Sequence, residues 1–203
     1  NAKDIKPLAF AGSDIKVIEI VDSDGYILRD GCLYNDTSLI YCFDKSIERY
    51  VCGKRLHRIF GAAFEGCDKL EYFESIHTNI SIDENVFVGC NNLFEIKIAT
   101  LQQGVISRIF GSDKLKKIEF YGNKVPRKYF YKQNALETIV LHGTVEIADL
   151  AFANCRNLVT IKGLENIVAY GDYSFYNCSS IDELAISNSC NRIGLGTFVG
   201  CDS

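Results

Sequence analysis

Methionine is absent from the 203 residues and the chain opens Asn1-Ala2-Lys3-Asp4, so a fragment or processed product is expected. A leader lost with the initiator would leave no trace, and the lack of one here says nothing about compartment. Only two prolines and no serine-rich tract occur, which excludes a long disordered linker. No apolar run approaches the roughly 18 residues a membrane helix needs, so no span is expected. Neither charge sign dominates: 22 Lys and Arg stand against 26 Asp and Glu, which excludes nucleic-acid binding through bulk electrostatics. Catalytic signatures are missing too, with no GxSxG, HExxH, Walker loop or GxGxxG after a strand. Gly194, Gly196 and Gly200 are spaced one residue too long for a dinucleotide turn. No CxxC pair exists and His57, His77 and His142 are scattered, so neither a zinc site nor another cofactor is expected. These absences together predict a chain that is not an enzyme. What is present is 47% apolar residues, enough to bury a core in one domain or two small ones.

The apolar residues repeat. Phe64, Phe87, Phe110, Phe130, Phe152, Phe175 and Phe198 are separated by 23, 23, 20, 22, 23 and 23 residues, and an earlier copy sits at Phe10. Five positions before these eight stand Ile5, Ile59, Ile82, Val105, Val125, Ile147, Tyr170 and Ile193. After the first seven come Ile15, Leu70, Leu93, Leu115, Leu136, Leu158 and Ile181, then Ile18, Phe73, Ile96, Ile118, Ile139, Ile161 and Leu184. Eight registers of this kind define a repeat protein.

Phe87-Val-Gly-Cys-Asn-Asn-Leu-Phe-Glu-Ile-Lys-Ile98 shows the unit. Its second half alternates apolar and polar residues at period two, which predicts a short strand with one buried face. The first half suits a compact turn or a single helical turn. One unit cannot bury its own apolar stripe, so units must stack with parallel strands roughly 4.8 Å apart.

The segments Phe64-Glu-Gly-Cys-Asp-Lys-Leu70, Phe87-Val-Gly-Cys-Asn-Asn-Leu93, Ala151-Phe-Ala-Asn-Cys-Arg-Asn-Leu158 and Phe175-Tyr-Asn-Cys-Ser-Ser-Ile181 resemble the repeat of BspA-like leucine-rich-repeat proteins. Asp30-Gly-Cys-Leu-Tyr-Asn-Asp-Thr-Ser-Leu-Ile40 is similar to an insertion of the same family. The copies at Phe10, Phe110 and Phe130 depart from it by lacking the cysteine. The resemblance implies an α/β repeat solenoid: a right-handed stack of parallel β-strands with short helical turns, with an inserted β-hairpin near the N-terminus. Residues 1–203 would form a single solenoid, part of a longer array, with the insertion at about 21–55. Neither end carries a polar cap, so the array is expected to continue past Ser203 or to be capped by another segment.

Within the insertion, Tyr26–Tyr34 and Ser38–Phe43 flank Asn35-Asp36-Thr37 and read as a hairpin projecting from the side of the stack. It either caps and decorates or binds a partner. Cys67, Cys90, Cys155, Cys178 and Cys201 share one repeat position and are expected to form an inward column of buried free thiols. Cys32, Cys42, Cys52 and Cys190 fall outside it, and Cys32 with Cys42 is the one disulfide considered. Sequons occur at Asn35, Asn79 and Asn177, the last beside a core cysteine.

Positions two and four after each Leu should point outward. One row runs Val17, Tyr72, Glu95, Lys117, Thr138, Thr160 and Glu183; the other runs Glu19, Glu74, Lys97, Glu119, Val140, Lys162 and Ala185. Alternating signs predict a structural ion-pair ladder. The candidate ligand-binding residues are Tyr72, Glu95, Lys97, Lys117, Thr138, Val140 and Thr160. Resemblance to BspA-like proteins implies a cell-surface or secreted module that adheres to host, matrix or other surface proteins. An intracellular scaffold and a passive spacer are the alternatives.

Overall fold

The computed structural model describes residues 5–6, 8–15, 18–20, 25–83, 85–99 and 114–202. The copy expected around Val105 and Phe110, and Val17 of the outward row, lie outside these residues.

A complete repeat among the described residues is one rung with three hydrogen-bonded sides. The first side is a six-stranded sheet of β4 (Arg49–Val51), β6 (Tyr72–Ser75), β8 (Glu95–Ile98), β9 (Lys117–Phe120), β11 (Thr138–Leu141) and β13 (Thr160–Lys162). Its pairings are parallel and in step, as in Phe73↔Ile96, Ile96↔Ile118 and Ile118↔Ile139. The period-two pattern dictates this register, because a slip by one residue would turn Ile96 and Ile98, both fully buried, out to water. The second side carries the apolar residue that precedes each Phe by five. Two parallel stacks form it: β5 (Arg58–Ile59) with β7 (Ser81–Ile82), and β10 (Lys124–Val125), β12 (Val145–Ile147), β14 (Ile167–Tyr170) and β15 (Arg192–Ile193).

The third side corrects the expectation of helical turns. The single helix among the described residues is a three-residue 3-10 turn at Leu164–Asn166. Phe64, Phe87, Phe130, Phe152, Phe175 and Phe198 each lie instead between consecutive tight turns. Ala63 N–H bonds to Phe60 O and Cys67 N–H to Phe64 O, with the third residue of each turn, Ala62 (φ 60°) and Gly66 (φ 70°), left-handed. The same pair recurs at Lys128 and Lys132, Leu150 and Asn154, and Tyr173 and Asn177. A left-handed residue every fourth position stops a right-handed helix from propagating. It also explains why Gly or Asn stands two after Phe, since these tolerate that conformation best. The N–H groups between the turn bonds reach across to the next rung: Phe130 to Ala151 O at 2.8 Å, Phe152 to Ser174 O at 2.8 Å, Phe175 to Thr197 O at 3.0 Å.

The column cysteines complete this side. Cys90, Cys155, Cys178 and Cys201 each donate Sγ–H to the carbonyl of the Phe one rung earlier (Phe64, Phe130, Phe152, Phe175) at 3.0–3.2 Å. All nine cysteines are free. Burial pushes the Cys178 thiol up to about 12 and the Cys90 and Cys155 thiols upward as well. Iodoacetamide at pH 8 is therefore expected to label the half-exposed Cys190 first and to spare Cys90, Cys155 and Cys178 until the chain unfolds. Peptide mass spectrometry reads the order, and early labelling of Cys155 would contradict the packing.

Two elements depart from the sequence reading. The insertion is three strands: β1 (Tyr26–Arg29), β2 (Cys32–Asn35) and β3 (Ser38–Cys42), antiparallel in succession. Asp30 (φ 48°) and Gly31 (φ 67°) turn the chain inside the run read as one strand, because Asp-Gly supplies both positive φ values of a tight hairpin turn. β3 then pairs in parallel with β5, so the insertion prolongs the second sheet rather than projecting from it. Phe10 does not join the phenylalanine column; it packs on Tyr41 (5.7 Å) and Phe43 (5.1 Å) across the insertion, in a small separate core. The second departure is at the far end, where no strand forms over 182–186 and Leu184 is 39% exposed and Ile186 47%. Among the described residues nothing covers their outer side, so the burial that fixes β8 or β9 is only half gained there.

Candidate functional site

The outward face of the six-stranded sheet gathers the sequence-predicted residues. Tyr72, Glu95, Lys117, Thr138 and Thr160 are successive partners in one row, and Glu74, Lys97, Glu119, Val140 and Lys162 in the next. All seven candidates are half-buried, as expected of side chains packed flank to flank on a sheet. The rows do not extend to Glu183 and Ala185, which lie outside any strand.

Charge divides the face in two. On the first half Lys117 bridges Glu95 (3.0 Å) and Glu119 (2.8 Å), Lys97 reaches Glu119 at 3.3 Å, and Arg49 lies 3.7 Å from Glu74. Tyr72 donates its hydroxyl to Glu74, and the Arg49 guanidinium stacks 3.6 Å over the Tyr72 ring. These groups satisfy one another. Glu119 shows the balance: burial alone would raise its pKa, yet hydrogen bonds from Lys117, Tyr121 and Lys97 hold the carboxyl down at about 2. The second half, Thr138, Val140 and Thr160, carries no ion pair among the described residues and offers methyl and hydroxyl groups.

Sequence reasoning missed a third outward row six positions after the Leu. There Tyr121 and His142 stack with ring centroids 4.1 Å apart at 10°. Both lean on Glu119, with Tyr121 Oη donating at 3.0 Å and His142 Nε2 at 3.4 Å from it. Continuing the period-two count past Phe120 and Leu141 would have found them. Cys32 and Cys42, outside this face, are cross-strand partners with their sulfurs 2.7 Å apart, both free. Among the described residues no three His, Cys, Asp or Glu side chains converge as metal ligands. No helix among them is long and apolar enough to cross a membrane.

A comparison with curated proteins gives no match. Among solved structures, a leucine-rich repeat protein from Eubacterium ventriosum superposes with a TM-score of 0.68 at 21% identity, over 87% of this chain and 50% of that one. A leucine rich cell surface protein from Faecalibacterium prausnitzii gives 0.47 at 16% identity, over 88% of this chain and 44% of the other. The chain thus spans about half the length of these two proteins. The first likeness agrees with the fold of stacked parallel rungs. The BspA type leucine rich repeat region matches in six copies over residues 3–126 and 123–203. With the rungs, the turn positions and the cysteine column all on that repeat, the chain belongs to the BspA-type leucine-rich repeat family.

Proposed function

We propose that this chain is a non-catalytic protein-interaction module of a cell-surface or secreted protein, which attaches to host, matrix or other surface proteins through the outward face of its six-stranded sheet. One observation carries the reading: the face is broad and in register, the charges of its first half pair with one another, and Thr138, Val140 and Thr160 adjoin them as an uncharged stretch bounded by the exposed Lys162. A partner covering that stretch strips water from methyl groups and breaks no salt bridge, which favours association. Tyr72 flanks the other side as an aromatic anchor. Family membership supports an interaction role, since solenoids present extended concave binding surfaces.

Protease shaving of intact source cells tests the location: peptides of this chain released without lysis support the reading, and release only after lysis sinks it. Binding is tested on immobilised matrix and host proteins. Val140→Lys with Thr160→Lys, both on half-exposed strand positions, is expected to cost any captured partner at least about tenfold in affinity, through a desolvated charge at the contact. Unchanged binding would move the site off this face. The nine free thiols favour an intracellular scaffold as the second reading. A thiol count on freshly isolated protein separates the two, full reduction weighing against an oxidising compartment.

A further inference from the structure

Strand β4 ends the six-stranded sheet, with β6 on one side and, among the described residues, no strand on the other. Tyr72 N–H bonds to Glu48 O (3.2 Å) and Cys52 N–H to Glu74 O (2.8 Å), so residues 48, 50 and 52 spend their main-chain groups on β6. The alternation of a parallel ladder then aims those of Arg49 and Val51 the other way. They meet no partner among the described residues. The repeat register calls for Ile18 and Ile20 in the slot beside them. Those residues pack instead against the small core behind the insertion, with Tyr41 and Phe43. What lies beside β4 is a cleft of about 840 Å³, walled on its far side by β1 and β2.

The cleft is cationic. Arg29, Arg49, Lys54 and Arg55 line it against two carboxylates, Asp30 and Asp36, with His57 at one end. Arg29, Lys54 and Arg55 make no ion pair among the described residues, although the chain as a whole carries net charge −4. Its rim is apolar, with Ile27 and Val51 each 49% exposed. Unpaired strand edges are normally blunted or covered. Among the described residues this one is left open, and cationic groups outnumber carboxylates around it four to two.

We propose that the open edge of β4 takes up an extended acidic segment of a partner protein, which adds to the sheet as a further strand. Main-chain pairing to Arg49 and Val51 supplies the seat, and Arg29, Lys54 and Arg55 select acidic side chains. The outward sheet face is not needed for this contact, so either proposal can fail alone.

The probe is a fluorescein-labelled nonapeptide alternating Glu and Val, titrated into the full chain and followed by anisotropy. Saturable binding that weakens with salt is expected, with the Lys–Val counterpart binding at least about tenfold more weakly. The triple variant Arg29→Glu, Lys54→Glu, Arg55→Glu should lose at least about tenfold, while the charge reversal Arg156→Glu, exposed and outside the cleft, leaves the affinity unchanged. Val51→Pro removes an N–H that faces the open edge and spares the β4–β6 bonds, so it should abolish binding with the circular dichroism intact. Should that variant unfold, N-methylation of alternate peptide residues makes the same test on unaltered protein. No binding, equal binding of the lysine peptide, or indifference to N-methylation would each overturn the proposal.

Discussion

Phe152→Ala is expected to remove about 3–5 kcal/mol of stability, the largest loss from any single side-chain truncation considered. The ring is 1% exposed and stacks between Phe130 at 5.2 Å and Phe175 at 5.2 Å, so truncation opens a void that two rungs border. Its N–H donates to Ser174 O at 2.8 Å and its carbonyl accepts Cys178 Sγ–H at 3.1 Å, both in the turn ladder. Because rungs touch only their neighbours, the damage should be local. Urea unfolding followed by circular dichroism is expected to split into two transitions, with the rungs beyond Phe152 melting first. Phe10→Ala makes the contrast: that ring is only partly buried in the small core and should cost well under half as much. A loss below about 1 kcal/mol for Phe152→Ala would show that the column is not the core.

The second large effect is linked to acid. The Glu119 carboxyl is held at about 2, against 4.5 for an unperturbed one, and its side chain is 11% exposed. Above the unfolded value the ionised group contributes fully. The contribution shrinks as pH falls from about 4.5 toward 2 and is gone below. That depression corresponds to on the order of 2–3 kcal/mol after allowance for screening at the sheet surface. Glu119→Gln should therefore be less stable by that amount between pH 5 and 8, and the two unfolding curves should converge near pH 2. A gap independent of pH would mean that the residue acts by packing rather than by charge. Lys97 and Lys117, left facing each other in the variant, add repulsion in the same direction.

Which parts were legible follows from which forces act locally. The middle of the outward rows, Tyr72 to Thr160 and Glu74 to Lys162, was read correctly, and the ends at Glu19, Glu183 and Ala185 were not, being in no strand. A strand's period of two leaves no freedom: once Ile96 and Ile118 face in, Glu95, Lys97, Lys117 and Glu119 must face out. The turn side was read as a compact turn or a single helical turn, with the family resemblance favouring the helical one, because a half-repeat this short has too few residues to show a period. The discriminating signal, Gly or Asn two residues after Phe, concerns φ rather than hydrophobicity. The insertion was read as two strands because the apolar triplets Tyr26–Leu28 and Cys32–Tyr34 were run together, although Asp30-Gly31 between them marks a turn. Phe10 was placed in the column by register alone. Register cannot foresee a three-stranded sheet slid between the first copy and the second. Tyr121 and His142 were missed for a simpler reason, since the count stopped at the fourth position after each Leu.

The inter-rung bonds of the turn side, like those of both sheets, run along the axis of the stack. Tension applied through the two ends therefore pulls these bonds apart one row at a time, instead of loading all rows together as shear across strands would. Each rung that lets go releases about 22 residues, roughly 75 Å of extended chain in place of a 4.8 Å step. Anchored at one end and gripped at the other, such a stack behaves as a tether that lengthens in increments, absorbing load while the rungs still closed keep their shape.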